Sequence, residues 1–407
     1  MSRAVIIGGG AAGMMAAICA ARRGVETIIV ERNDRLGKKL GITGKGRCNI
    51  TNACDVEDIF LNIPTNPKFL YSAIYSFTNG DCIRFFEDLG VPTKVERGGR
   101  VFPLSDKAAD VVNALKSAVE GSGVVVYRAR ACGIKIKNGA AAAVVTDNGE
   151  ISCDAALIAS GGKSYPQTGS EGDGYAIAHA AGHTITPLAP SLVPLEAHET
   201  ASLSGLALKN AKLVIKDEND SEIFSDFGEM LFTHFGLSGP IVLSASSHMR
   251  SCKRYTAHID LKSALDEKKL DARLLRDFEK YARRDASNAL DDLLPGKLRP
   301  FTVKRWGIDA HKKVSQITRE ERVALAKLLK DMKFEIKGFR PISEAIITSG
   351  GVSVSEINAH TMESKLVRGL YFAGEVIDVD AYTGGFNLQI AFSTGHLAGI
   401  NMCGERS

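Results

Sequence analysis

RAVIIGGGAAGMMAAICAARRGVETIIVE, residues 3–31, decides how the rest of the chain is read. Ala4–Ile7 is an apolar run of strand length, Ala11–Arg22 a stretch of small helix formers, Gly24 a stop, and Thr27–Val30 a second apolar run. Two buried parallel strands joined by a helix make a βαβ unit, normally right-handed and covered on both faces. The glycines of Gly8-x-Gly10-x-x-Gly13 stand at the strand-to-helix turn. Gly8 permits the tight turn, Gly10 lets the backbone approach a pyrophosphate, and Gly13 allows close helix–strand packing. Free N–H groups and the dipole at the helix start then attract the diphosphate. Glu31 ends the second strand, placed to accept both hydroxyls of an adenosine ribose, which disfavours a 2′-phosphate there.

The same segment holds an uncharged run, Ala4–Ala21, between Arg3 and Arg22-Arg23. Its length admits a membrane helix or a signal peptide. Four glycines interrupt it, and strand, turn and helix account for it as a buried βα unit. No other segment qualifies, so no membrane partner is expected.

At 407 residues the chain is too long for one ordinary core, and 44% hydrophobic residues exclude a disordered chain. A net charge of +4 is too small to argue for a nucleic acid or membrane partner. Eight cysteines (Cys19, Cys48, Cys54, Cys82, Cys132, Cys153, Cys252 and Cys403) form no CxxC pair. They read as reduced thiols of a cytoplasmic protein, with no zinc site and no metal centre. The 40 glycines, about 10% of the chain against a usual ~7%, are the one outlier. They crowd into residues 1–50, 157–182 and 338–404, three pieces distant in sequence.

Along the chain, Gly123–Ala129, Cys132–Lys137 and Ala141–Asp147 read as a small antiparallel layer, followed by a buried strand at Ala155–Ala159. Residues 190–260 alternate apolar and polar, as half-exposed antiparallel strands do. Residues 262–335 are mostly helical by pattern (Lys269–Arg284 and Arg319–Lys330). They carry 19 Lys and Arg against 13 Asp and Glu, a surplus of +6. Glycine-rich βα character returns after 338, with a buried strand at Gly369–Ala373 and an apolar helix at Phe386–Ile400. The expected fold is therefore α/β: a Rossmann-like domain from 1–190 and 338–407, a β-barrel-like insert from 191–261 and about 336–350, and a helical insert at 262–335. FAD suits this layout better than NAD, because its length requires a separate flavin clamp. Gly374–Asp378 with Thr383–Asn387 suits that clamp, the helix from Phe386 pointing its N-terminal dipole at the flavin N1–C2=O edge.

These motifs together resemble the BaiN-like (YhiN-type, aminoacetone-oxidase-like) FAD-binding flavoproteins, over nearly the whole length. The strings that carry the resemblance are Gly8–Gly13 with Glu31, Gly44-Lys45-Gly46-Arg47-Cys48-Asn49-Ile50-Thr51-Asn52, Phe102-Pro103, Gly161-Gly162 with Tyr165-Pro166, Thr168–Gly174, Leu231–Pro240, and Gly374-Glu375 through Gln389. The resemblance implies a glutathione-reductase-type FAD domain interrupted by a β-barrel and helices. It implies that Gly8, Gly10, Ala12 and Gly13 hold the diphosphate and that Glu31 with Arg32 holds the ribose. Lys38 and Lys39 would line the cofactor, and Arg47, Cys48, Asn49 and Asn52 would cross near the isoalloxazine. Ala131 would meet the adenine. Gly161, Gly374, Glu375, Asp378, Gly385 and Asn387 would complete the flavin side. Residues 168–174 also resemble fumarate-reductase-type flavoproteins, in which covalent FAD needs a histidine in the early loop. Residues 37–52 contain none, so non-covalent FAD is expected.

The expected activity is that of an FAD-dependent oxidoreductase taking hydride from NADH or NADPH, docked transiently, and reducing an activated C=C or C=O of a small organic substrate. A second GxGxxG for a dedicated NAD domain is absent. Candidate catalytic groups are His234 as a proton relay, Arg47, and Tyr382, with Tyr165 comparable. Cys48 beside Arg47 reads as a packed rather than a reactive thiol. Two alternatives stay open: a flavoprotein acting on or binding tRNA through the basic helices, whose interspersed acids and few aromatics weigh against it, and a flavin-binding protein without turnover.

Overall fold

The computed structural model describes residues 2–249 and 254–404, so Cys252 lies outside the described residues. The chain forms two compact units, one from Met1–Ser191 with Pro341–Ser407, the other from Leu192–Arg340.

In the first unit five strands run parallel in the order Leu370–Phe372, Ala155–Ile158, Arg3–Ile7, Glu26–Glu31, Val125–Arg128. Continuous apolar runs such as Ala4–Ile7 and Ala155–Ile158 follow from burial on both faces. The first helix spans Ala11–Arg22, and its small side chains admit the last helix, Phe386–Asn401, at very short range. A Cβ on Gly395 would stand 2.4 Å from Ala12 O, and one on Gly399 2.5 Å from Ala16 O. The first helix therefore packs against an element encoded at the other end of the chain.

The antiparallel layer consists of Ala131–Lys137, Ala140–Thr146 and Gly149–Ser152. The segment 123–129 expected in it belongs instead to the parallel sheet, where Val125–Arg128 pairs with Ile28–Glu31. As an edge strand it is half-exposed, and this gives it the mixed composition of an antiparallel strand.

The second unit is built on a closed six-stranded barrel in the order Leu195–Ala197, Gly236–Ser238, Glu222–Phe232, Ala207–Lys216, Tyr255–Asp260, Met332–Phe339. Leu213, Ile215, Met230, Phe232 and Phe334 fill its core. Helices follow at Glu267–Lys280, Leu298–Trp306 and Arg319–Lys330. The barrel ends at Phe339 rather than near 350. Ile347–Ser349 pairs with Ala189–Ser191 in a two-stranded ribbon of the first unit. Among the described residues no helix is long and apolar enough to cross a membrane.

Candidate functional site

The carboxyl ends of the parallel strands carry the glycine turn. Gly8 has φ +103°, and a Cβ there would lie 2.6 Å from Ala159 O. A Cβ on Gly13 would stand 1.9 Å from Gly8 O, so only glycine lets the helix start this close to the strand. Gly10 differs: a Cβ there meets nothing within 4 Å. The helix begins at Gly10 with no side-chain cap, which leaves first-turn N–H groups available to an anion approaching over open backbone. Ala12, the next small residue, is buried against the last helix.

Glu31 is buried, and its carboxylate works on the chain itself. Oε2 accepts from Gly9 N at 2.7 Å; Oε1 accepts from Asn33 N and Nδ2, both at 2.8 Å. Three of roughly four carboxylate lone-pair positions are thus filled by the loop. Asn33 Nδ2 also reaches Thr168 O at 3.0 Å, which ties the turn to the 168–174 stretch. Beside it Arg32 binds Glu171 at 2.9 Å and Asp173 at 3.0 Å, and Arg130 shares Asp173 at 2.8 Å. Ala131 opens the antiparallel layer directly after Arg130.

Lys38 is half-buried. Lys39 reaches across the sheet ends to Glu375 Oε2 at 2.6 Å and to Ser164 Oγ at 2.8 Å. The other oxygen of Glu375 accepts from Thr348 N at 2.9 Å and Ser164 Oγ at 3.0 Å. A Cβ on Gly162 would sit 2.6 Å from both Glu375 Oε1 and Thr348 Oγ1, so the glycines at 161–162 make room for this cluster.

Arg47 lies on the three-stranded sheet of residues 51–52, 93–96 and 100–103. Its guanidinium stacks 4.1 Å from the Phe102 ring centre and bonds Glu96, with Nε 2.8 Å from Asp106. Arg47 holds Glu96 below the usual carboxylate range, and Lys94 with Arg47 does the same for Asp106. With its donors given to two acids, Arg47 anchors the loop, a role its sequence context does not disclose. Cys48 is fully buried, and burial pushes its thiol up to about 12, which makes it a packing residue. Asn49 Oδ1 and Ser160 Oγ, the latter just beyond the strand Ala155–Ile158, are buried polar atoms without a hydrogen-bond partner in the chain.

Asn52 joins the early loop to the C-terminal one. Its Nδ2 donates to Gly98 O at 2.9 Å and Gly384 O at 3.0 Å. Gly385 has φ +101° and no room for a Cβ, Thr51 O standing 2.3 Å away, and the last helix starts there without a side-chain cap. Asn387 pins Ala381 through both its backbone groups, at 3.0 and 2.7 Å. Asn66 Nδ2 bonds Asp378 O at 2.7 Å, and the half-buried Tyr382 donates its N–H to Asn62 O at 2.9 Å. Gly374 holds φ +76°, at the junction of the last sheet strand and this loop. His234 belongs to the other unit, exposed at the tip of a turn closed by Thr233 and Gly236, with its ring against Phe235.

An open glycine approach, two uncapped helix starts and two buried polar atoms still lacking partners fit a long dinucleotide with a diphosphate in its middle. The sequence profile of the HI0933-like protein Rossmann domain matches residues 2–401. The chain belongs to the HI0933-like family. This bears out the BaiN-like resemblance read from the sequence: the chain is a flavin-dependent oxidoreductase with an FAD-binding Rossmann-type domain. It is 31% identical, over 98% of both chains, to the 3-dehydro-bile acid delta(4,6)-reductase of Clostridium scindens. It is also 31% identical to the ribosomal RNA dihydrouridine synthase of Escherichia coli, over 96% of this chain and 95% of that one. In fold it is similar to the 3-ketosteroid-delta4-(5alpha)-dehydrogenase of Rhodococcus jostii RHA1, with a TM-score of 0.53 at 15% identity, over 99% and 97% of the two chains.

In this HI0933-like chain Asn33 and Thr348 carry no motif, and Ser164 and Asp380 stand inside signature strings without a role read for them. Ser164 stands inside the Gly161–Pro166 string, but nothing in that string names Thr348 or Lys39 as its partners. The Lys39–Glu375 pair keeps only about a fifth to a quarter of each side chain exposed. Lys39→Met is expected to strand the Glu375 charge and cost about 1–3 kcal/mol, read as a lower urea midpoint at unchanged slope.

Proposed function

We propose that this flavoprotein uses NADH or NADPH to reduce a carbon–carbon double bond conjugated to a carbonyl. The observation that carries the reaction class is common to the two relatives of near-equal length. A 3-oxo steroid reduced at its 4,6 double bonds and a uridine reduced to dihydrouridine share one chemistry: hydride adds to an electrophilic carbon conjugated with a carbonyl, β to it or δ through a second double bond, and a proton adds to the neighbouring carbon on the carbonyl side. FAD, when bound, supplies the two-electron carrier between the nicotinamide and that electrophilic carbon.

The residues of the chain would do the rest. Gly8, Gly10, Ala12 and Gly13 would hold the diphosphate over the first helix, with Glu31 shaping the loop and Arg32 and Ala131 at the adenosine end. Lys38, Lys39, Gly161, Gly374 and Glu375 would line the middle of the cofactor. Cys48, Asn49 and Asn52, in the loop that Arg47 anchors, would bound the flavin together with Asp378, Gly385 and Asn387. Binding would be non-covalent, since residues 37–52 offer no histidine. Tyr382, held by Asn62 and by the neighbouring Asn387, is the proton donor we favour; His234, on an exposed turn, is the second candidate.

The name of the Escherichia coli relative favours RNA as a second substrate class. Against it, much of the basic surplus at 262–335 is engaged locally, as in Arg273–Asp277, Lys280–Asp292, Arg299–Asp291, Lys312–Glu321 and Arg322–Asp271.

Anaerobic mixing of the FAD-loaded protein with NADH or NADPH is expected to bleach the flavin band. A 4-ene-3-oxo steroid or a uridine-containing ribosomal RNA fragment then restores it. A band that neither nucleotide bleaches sinks the reductant assignment. Reoxidation by the RNA alone, weakening with added salt, moves the assignment to nucleic acid.

A further inference from the structure

The chain leaves the first unit through Ala189–Ser191 and returns through Ile347–Ser349, and these two strands pair antiparallel as a ribbon. Two acids of the C-terminal stretch grip that ribbon. Glu375 takes the Thr348 N–H at 2.9 Å, in the Lys39 cluster described above. Asp380, fully buried, takes Ser191 Oγ at 3.0 Å and Ser349 Oγ at 3.3 Å, one hydroxyl from each strand. On the far side the same loop is held through backbone: Thr65 bridges Asp380, Asn66 reaches Asp378 O, and Tyr382 N reaches Asn62 O.

We propose that Asp380 is a positioning residue, fastening the loop 378–387 to the ribbon so that Tyr382, Gly385 and Asn387 keep fixed places at the flavin side. This rests on the reading above that the loop bounds the flavin. A carboxylate with no exposure needs its acceptor sites filled, so a shift of the loop from the ribbon breaks two of the bonds that hold it. Residues 378–382 are also held to 62–66, and Asn387 pins Ala381 from within the loop. The two serines add the ribbon as a further edge that fixes its position. Neither serine belongs to a recognisable motif, and Asp380 stands two residues beyond the acid that the resemblance singles out.

The test compares Asp380→Ala and Asp380→Asn with the parent as FAD-loaded proteins. The readouts are the visible circular dichroism of bound FAD, the FAD dissociation constant, and the rates of flavin reduction and reoxidation. Asp380→Ala is expected to lose at least half of the visible dichroic signal and to bind FAD about tenfold more weakly. Its reoxidation by acceptor should be slowed more than tenfold while KM for the acceptor moves less than threefold. Asp380→Asn, which keeps one acceptor oxygen, should fall between. A folded Asp380→Ala with parental dichroism and FAD affinity within twofold overturns the proposal. If Asp380→Ala does not fold, Ser349→Ala decides on the same readouts, and parental values there overturn it equally. The dichroism and affinity need no turnover, so an enzyme that NAD(P)H fails to reduce sinks the proposed function and leaves this test intact.

Discussion

Gly10→Val is expected to fold like the parent and to lose FAD. Gly10 sits at φ −83°, ψ −167°, a conformation that a β-branched residue adopts without strain. Its Cβ would meet no atom of the protein within 4 Å. The valine therefore costs the apoprotein little, and its methyl groups stand in the approach to the uncapped helix start. FAD affinity should fall at least a hundredfold, about 2.7 kcal/mol, with the apoprotein melting temperature within about 2 °C of the parent. Gly13→Ala supplies the contrast. Its added carbon would meet Gly8 O at 1.9 Å, so the backbone must move and the apoprotein itself loses about 1–3 kcal/mol. Full FAD affinity in Gly10→Val would show that the diphosphate lies elsewhere.

Glu31→Ala carries the second large effect, and it strikes fold and cofactor together. Removing the carboxylate strands Gly9 N and Asn33 N, accepted now at 2.7 and 2.8 Å, and leaves Asn33 Nδ2 with Thr168 O alone. A buried donor left without an acceptor costs about 1–3 kcal/mol, and two in one loop relax together, so a loss of about 2–4 kcal/mol in unfolding free energy is expected. FAD retention should fall with it, because the released loop is the one that presents Gly8–Gly10. Chemical denaturation of the apoprotein separates the two effects. A variant that unfolds at the parental midpoint yet loses FAD would mean that Glu31 acts only on the ribose.

The difference between these two residues shows what the sequence could disclose. Strand, glycine turn, helix and second strand lie within residues 3–31, and each is a local pattern. The first helix is accordingly found at Ala11–Arg22 as read, and Arg319–Lys330 likewise, closed by the capping box of Thr318 and Glu321. Partner choice over long separations leaves no such pattern. Lys39 and Glu375 are 336 residues apart, and Arg47 meets Asp106 from 59 residues away. The resemblance names Lys39, Arg47 and Glu375 as cofactor-lining. It is silent on the fact that Lys39 binds Glu375, that Arg47 binds Glu96 and Asp106, or that Glu31 is nearly saturated by its own loop. Val125–Arg128 is misplaced for the same reason: an edge strand of a parallel sheet looks locally like any half-exposed strand.

The close seating of the last helix on the first has a consequence for biosynthesis. Ala12 and Ala16 leave the ribosome early, but Gly395 and Gly399, which seal them, are among the last residues made. The strand Leu370–Phe372 that completes the parallel sheet is almost as late. The segment Leu192–Arg340 is synthesised in full well before that, so the nascent chain holds every residue of the barrel unit while the first unit still waits for its last helix. Premature termination beyond Arg340 thus yields a chain with an intact barrel and an open cradle, a product for quality control rather than for catalysis.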